Sequence, residues 1–306
     1  MMRTIELASP AKINLYLDIL GKRSDNYHDI VTVFERIDLC DTLRLTDKGV
    51  SDDSISITSN QHDLPSDENN LVFTACKLLK ESFGVSKGVA IHIDKRIPIG
   101  AGLGGGSSNA ATVLKGLVRL WGLDVTDDRL LDFGRRIGAD VPFFIFNHAF
   151  AVGRQRGDEI VPIRSDLEMW HLLLTPPVFV STREIYGETN LNLTDKKADV
   201  TMIVRAIEHN DTEGVKKNIY NALKDIAAKK VADISKAKDF LERMGFDTIS
   251  VTGSGPTIFL ITKNRKEAES IKSKFNTTYF TQNSNNPNNL AGNWNIFVAK
   301  TLQNSI

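Results

Sequence analysis

The chain has 306 residues, 38 basic and 38 acidic side chains, a formal charge of zero and 41% apolar residues. That length allows one large or two ordinary domains with real cores, and the balanced charge offers nucleic acid no overall basic field. No run reaches the roughly 18 apolar residues of a membrane span, and Glu6, Lys12 and Asp18 interrupt the start as no signal peptide would. A cytoplasmic protein with no nucleic-acid or membrane partner is expected. Cys40 and Cys76 are the only cysteines, far apart, which fits a reducing compartment and neither a disulfide framework nor a zinc site.

In residues 11–20, Ile13, Leu15, Leu17 and Ile19 alternate with Lys12, Asn14, Tyr16 and Asp18. This predicts a strand on which Lys12 and Asn14 point the same way. A polar turn over 21–27 follows, and 30–45 and 54–58 read as further strands of an antiparallel sheet. After a polar loop at 59–70, the spacing predicts a helix over 71–83 closed by Gly84, with Cys76 on its core face beside Val72, Leu79 and Phe83. Residues 89–93 form the strand that feeds the most unusual stretch of the chain.

That stretch, 98–111, reads Pro-Ile-Gly-Ala-Gly-Leu-Gly-Gly-Gly-Ser-Ser-Asn-Ala-Ala, with glycine at 100, 102, 104, 105 and 106. Glycines at this density let successive backbone N–H groups turn inward around an anion. Ala110, Val113, Leu114, Leu117, Val118 and Trp121 then recur at helical spacing, Ser107 or Ser108 is placed to cap that helix, and Gly122 stops it. A helix N-terminus adds free donors and the positive end of its dipole to the same hollow, which suits phosphate.

Other glycine motifs fit less well. Gly100, Gly102 and Gly105 satisfy G-x-G-x-x-G, but no second strand with a terminal acid follows the helix. The lysine of a Walker loop is missing. Asp132, Phe133 and Gly134 mimic a protein-kinase metal motif, yet Leu130, Phe133 and Ile137 set them inside an amphipathic helix. Past the apolar run 143–146, the character changes at 166–177, which places a domain boundary near 163. The second half predicts a strand at 171–174 and helices anchored by Val200/Ile203/Val204/Ile207, Val215/Ile219/Leu223/Ile226 and Val231/Ile234/Leu241/Met244. Strands at 248–251 and 257–261, a helix near 266–275 and a last strand at 294–299 complete it, with the Asn-rich stretch 282–293 read as a surface loop.

The 98–111 loop resembles the P-x-x-x-G-L-G-G-G-S-S-x-A-A loop of the GHMP kinases, a family of small-molecule kinases. Ser-Pro-Ala-Lys-Ile-Asn-Leu at 9–15 and Val-Thr-Gly-Ser-Gly-Pro-Thr at 251–257 resemble the family's other motifs, in the family's order. Within the family, Gly-Lys-Arg-Ser-Asp-Asn-Tyr-His at 21–28, Asp-Lys-Arg-Ile-Pro at 94–98 and Gly-Ala-Asp-Val-Pro at 138–142 resemble the branch that phosphorylates a cytidine diphosphate-linked polyol for isoprenoid precursors. The resemblance spans nearly the whole chain. It implies an α+β fold of two domains: a mixed β/α ATP-binding domain over 1–163 and a ferredoxin-like domain over 164–306. Homoserine- or mevalonate-type kinases and a non-catalytic metabolite sensor of the same fold remain alternatives.

By the same resemblance, Pro98, Ile99, Gly100, Ala101, Gly102, Leu103, Gly104, Gly105, Gly106, Ser107 and Ser108 hold ATP, with Lys95 and Asn70 near the nucleotide. Asp140 is implied as the general base and Lys12 as the cation that stabilises charge in transfer. On local sequence alone, Asp140 reads as a turn or N-cap residue and Lys12 as a solvated strand lysine. Asn14, Thr182, Gly253, Ser254 and Gly255 are implied beside the acceptor. Tyr27 is implied to stack on cytosine, His28 to bond its edge, and Tyr186 to supply a second face. Locally, Tyr27 and His28 read equally as surface scatter. Mg²⁺ is expected with ATP, and the sequence marks no ligand for it beyond a choice of Ser107 or Ser108. His62, His92, His148, His171 and His209 show no ligand spacing, and the chain is expected as a monomer or homodimer. Two cations, Arg154 and Arg156, stand where the family often has smaller or acidic residues.

Overall fold

Two long strands, β1 (Thr4–Lys22) and β2 (His28–Gly49), pair antiparallel from Thr4↔Thr46 to Lys22↔His28 and form the spine of the first half. The computed structural model describes residues 3–25, 27–188, 199–279 and 294–303. On the far side of β2, β4 (Gly88–Asp94) pairs with 42–49 and β5 (Phe150–Arg154) with 32–35. β3 (Ile55–Ser59) runs parallel to β4, and β6 (Glu159–Ile163) antiparallel to β5. No sequence pattern marks elements over 150–163, because these short strands alternate weakly: Phe150, Ala151 and Val152 are all buried.

Helices α1 (Leu71–Phe83), α2 (Gly105–Trp121), α3 (Asp127–Ile137) and α4 (Val141–Ile145) cover one face of this sheet. The Asn70 side chain caps α1 by accepting the Val72 N–H, and Gly84 and Gly122 end α1 and α2 in the left-handed region, as the glycine signals predict. Gly116 lets α2 lie close on the strands: a Cβ there would stand 2.7 Å from a Leu7 methyl and 2.9 Å from a Leu45 methyl. Phe133, inside α3, is fully buried, which accounts for the kinase-like triplet as packing.

The second half holds β7 (Trp170–Thr175), β9 (Ile249–Val251), β10 (Ile258–Thr262) and β11 (Asn295–Lys300) in the antiparallel order β11-β7-β10-β9. Between β7 and β9 come α5 (Thr182–Gly187), α6 (Val200–Glu208), α7 (Thr212–Lys217), the two-residue β8 (Tyr220–Asn221), α8 (Lys224–Lys230) and α9 (Ala232–Arg243). α10 (Arg265–Lys274) joins β10 to β11. This is the βαββαβ order of a ferredoxin-like layer, as expected. One expectation fails: the pattern 215–226 is not a single helix. Tyr220 and Asn221 leave the helix to pair parallel with Tyr16 and Leu17 of β1, splitting it into α7 and α8. The expected loop at 282–293 lies outside the described residues.

The two halves share a core. Ile13, Leu15, Val31 and Val33 of the hairpin pack with Leu173, Phe259 and Ile261 of the second sheet, so residues 11–17 of β1 are buried on both faces and their alternation carries no solvent side. Within that seam His171 Nε2 lies 2.8 Å from Glu35 Oε1, which also accepts from the Thr301 hydroxyl at 2.6 Å.

Candidate active site

A cleft of about 1100 Å³ runs along the junction of the halves, lined by the 98–107 loop, Lys12 and Asn14 of β1, the β1–β2 turn, α5 and the Gly253–Ser254 turn. At one end the loop takes the left-handed region at every second residue, with φ of 69° at Gly100, 76° at Gly102 and 70° at Gly104. A Cβ on Gly102 would stand 2.4 Å from the Thr252 carbonyl, and one on Gly104 2.9 Å from Lys12 Cγ, so only glycine fits either place. Gly104 is itself the N-cap of α2 and offers no side-chain cap. This corrects the expected serine cap: the helix starts earlier, which puts Ser107 and Ser108 inside its first turn. The Ser108 hydroxyl is buried and lies 2.8 Å from that of Ser9. With no side chain occupying the helix end, its first donors are left to a ligand.

Beneath the loop, Lys95 Nζ stands 2.5 Å from Asp41 and 3.3 Å from the Asn109 amide oxygen, all buried. Asp41 also accepts the backbone N–H groups of Arg96 and Ile97, each at 2.8 Å, and so fixes the path from β4 into the loop. A buried pair whose remaining lone pairs are bonded is costly to break from one side.

At the middle of the cleft Lys12, only 3% exposed, donates to Asn14 Oδ1 at 2.6 Å and lies 3.4 Å from Asp140 Oδ2. Asp140 occupies the N-cap position of α4, yet its side chain makes no cap hydrogen bond. The carboxylate instead faces the lysine and remains 33% exposed to the cleft. The local reading of Asp140 as a capping residue therefore describes its backbone and not its side chain. Thr252 ties in the last motif: its hydroxyl accepts the Asn14 N–H at 3.0 Å and sits 3.3 Å from the Gly102 carbonyl. Three segments distant in sequence thus meet within hydrogen-bond reach of one another.

The other end is aromatic. The rings of His28 and Tyr186 lie 5.3 Å apart at 33°, and Tyr27, 52% exposed, carries the Arg156 guanidinium 5.2 Å over its ring. Arg156 is held by Asp158 at 2.5 Å and by the Arg135 carbonyl at 3.2 Å. Burial, and then the neighbouring Lys22 charge, hold the His28 imidazole below its ordinary pKa. Burial, and then the Asp140 carboxylate, push the Tyr186 phenol well above its ordinary value, so it stays a neutral hydroxyl. Thr182, at the start of α5, pairs with the Ser254 hydroxyl at 3.0 Å.

Comparison with known proteins bears on the fold and the family. Residues 70–148 match the model of the GHMP kinases N terminal domain, and residues 203–281 that of the GHMP kinases C terminal domain. A 4-diphosphocytidyl-2-C-methyl-D-erythritol kinase of Bacillus mycoides is 41% identical over 251 residues, 82% of this chain and 86% of that protein. The chain belongs to the GHMP kinases. The equivalent kinase of Geobacillus kaustophilus is 42% identical over 255 residues, 83% of this chain and 87% of that one. A crystal structure of 4-(cytidine 5'-diphospho)-2C-methyl-D-erythritol kinase superposes with a TM-score of 0.74 at 26% identity, covering 97% of this chain and all of that one. A homoserine kinase from Cytophaga hutchinsonii shares the fold, with a TM-score of 0.71 at 18% identity over 99% of this chain and 95% of that one.

In this GHMP kinase, Lys12, Asn14, Tyr27, His28, Lys95, 98–107, Asp140, Thr182, Tyr186, Gly253 and Ser254 all line the cleft. Asn70, Ser108 and Gly255, expected at the nucleotide or acceptor, do not line it. Asn70 has both ends of its amide engaged, capping α1 and donating to the Pro65 carbonyl at 2.7 Å. The Gly255 N–H closes a turn on the Thr252 carbonyl. Residues the sequence left unassigned also line the cleft, among them Lys22, Arg156 and Arg183. Arg156 had one signal, its departure from the family pattern; Arg183 had only its nearness to Thr182.

Proposed function

We propose that the chain transfers the γ-phosphoryl group of ATP to the 2-hydroxyl of 4-diphosphocytidyl-2-C-methyl-D-erythritol, a step in making isoprenoid precursors without mevalonate. The observation that carries this reading is the placement of Lys12 and Asp140, 3.4 Å apart, between a glycine-built anion cradle and an aromatic-lined end. Relatives of that activity at 41% and 42% identity support it.

Phosphoryl transfer asks for an aligned acceptor, a held phosphate and neutralised charge, with little covalent work by the protein. The α2 N-terminus and the loop N–H groups cradle the phosphates, and Leu64 and Leu71 give that end an apolar wall. Asp140, uncommitted to capping, accepts the hydroxyl proton as the bond to phosphorus forms. Lys12, positioned by Asn14, stabilises the charge passing between them. Tyr27 and Tyr186 offer ring faces to cytosine, while His28, held neutral, can donate to and accept from its edge. Asn14, Thr182, Gly253 and Ser254 border the acceptor.

Among the described residues no group of three His, Cys, Asp or Glu converges to cage a metal. That suits Mg²⁺, which keeps several waters and takes its other ligands from substrate phosphates. When bound with ATP, the ion would supply charge neutralisation to the phosphates. With the Ser108 hydroxyl buried against Ser9, Ser107 is the loop hydroxyl that would reach it. We further divide the chain into 1–163 and 164–306, which keeps β1 to β6 in one unit and β7 to β11 in the other, and dependence on ATP fits a cytoplasmic enzyme. The test is ADP release with ATP, Mg²⁺ and the cytidylyl acceptor, beside homoserine, mevalonate and an Asp140→Asn control. Turnover with the cytidylyl acceptor alone is expected. Turnover with another acceptor would remove the cytosine assignment, and ATP binding with no turnover would favour a sensor.

A further inference from the structure

Five cations line the cleft, Lys12, Lys22, Lys95, Arg156 and Arg183, against the carboxylates of Asp25 and Asp140. Three of the five are compensated: Lys12 faces Asp140, Lys95 faces Asp41, and Arg156 faces Asp158. Asp25 is in turn engaged by Arg23 at 3.2 Å. Lys22 and Arg183 have no ion pair among the described residues, so the lining carries an uncompensated positive charge from two side chains.

Their placement is specific. Lys22 stands directly opposite His28 in the β1–β2 ladder, and directly opposed residues share a face of the sheet. Arg183 and Tyr186 are three apart on α5 and both line the cleft, as residues on one helix face do. Since the His28 and Tyr186 rings lie 5.3 Å apart, the two free cations come from the two elements that meet at that aromatic contact. Burial, and after it the Lys22 charge, depress the titration of His28 at the same point. ATP has its own anion cradle in the glycine loop, built from backbone rather than from side-chain cations.

We propose that Lys22 and Arg183 form an anion subsite that takes the ionised diphosphate bridge of the acceptor, so that the acceptor is selected by charge as well as by base. This rests on the reading of the acceptor as a nucleoside diphosphate conjugate. The Arg183 fork suits two phosphate oxygens at once, and Lys22 acts as a point charge from the facing strand.

The experiment is calorimetric binding of cytidine diphosphate and of cytidine to the full chain, with a saturating non-hydrolysable ATP analogue filling the glycine loop. The wild type is expected to bind the diphosphate more tightly than the nucleoside. R183Q and K22Q should each shrink that difference about tenfold while leaving cytidine binding unchanged, the loss expected for a charge-assisted contact. R183K, which keeps the charge, should recover most of it. An unchanged ratio in both variants, or equal weakening of cytidine, would overturn the subsite. So would a wild type that binds the two ligands alike. Equal binding of cytidine and uridine diphosphates, both lost in R183Q, would instead discard the cytosine reading and uphold the subsite.

Discussion

At the glycine end of the cleft a ligand meets backbone N–H groups and a helix terminus drawn from one continuous segment. At the aromatic end it meets side chains from the β1–β2 turn, the β5–β6 turn and α5. The first end has almost no side chain to lose, but nearly any added Cβ fills it. The second loses a contact at a time. Substitutions should therefore act as a switch at one end and by degrees at the other.

Gly102→Val tests the switch most severely, since a Cβ would enter the Thr252 carbonyl at 2.4 Å from a backbone already at φ 76°. Calorimetric titration should find no measurable ATP binding; retained binding would mean that the loop is not the cradle. Between the two ends, Asp140→Asn keeps the shape and removes the base, so kcat should fall by about a thousandfold, within the usual range for a general base, with both Michaelis constants little changed. A graded effect is expected of Tyr27→Ala, where lost base stacking should raise the acceptor KM by roughly tenfold to a hundredfold and leave the ATP KM alone. Equal changes in both constants would show that the two ends are not separable.

The smallest effect is a pH dependence. Protonation of His28 removes its acceptor nitrogen, and its pKa is held down by burial and Lys22. Acceptor affinity should thus be full above the ordinary histidine range near 6.5, persist through it, and fall only as pH drops through the lowered value. In Lys22→Gln the fall should begin at higher pH. Acceptor KM measured across pH, with NMR titration of the imidazole, checks both.

The same contrast explains what could be read in advance. The glycine loop was legible because its requirement is written locally: positive φ at alternate residues leaves glycine as the only fit. Helix 71–83 and the helix after the loop were legible from apolar spacing and their closing glycines, and 127–137 from the spacing of Leu130, Phe133 and Ile137, save that the helix after the loop is capped by Gly104 and not by a serine. Lys12 and Asp140 were visible through resemblance, while their local patterns favoured bland roles, because what makes them unusual is a contact across 128 residues of chain. Arg183 had no such signal, and Lys22 stood in the 21–28 motif without a role attached to it. A surface-like residue becomes a site residue only when the fold brings it to a cleft. The split at 215–226 was hidden for a related reason: Tyr220 and Asn221 follow the helical period, and their pairing with β1 overrides it.

Asn221 carries a consequence of its own. Its amide donates to the carbonyls of Val251 at 2.8 Å and Gly253 at 2.9 Å, while its backbone is laid beside Leu17 on the strand that bears Lys12. The acceptor turn of the second half and the lysine of the first are hung from the same peg. One side chain thus holds the 251–253 turn against the strand that carries Lys12. The tie is internal, whereas the half-exposed Tyr27 stands at the rim with no such anchor across the two halves among the described residues.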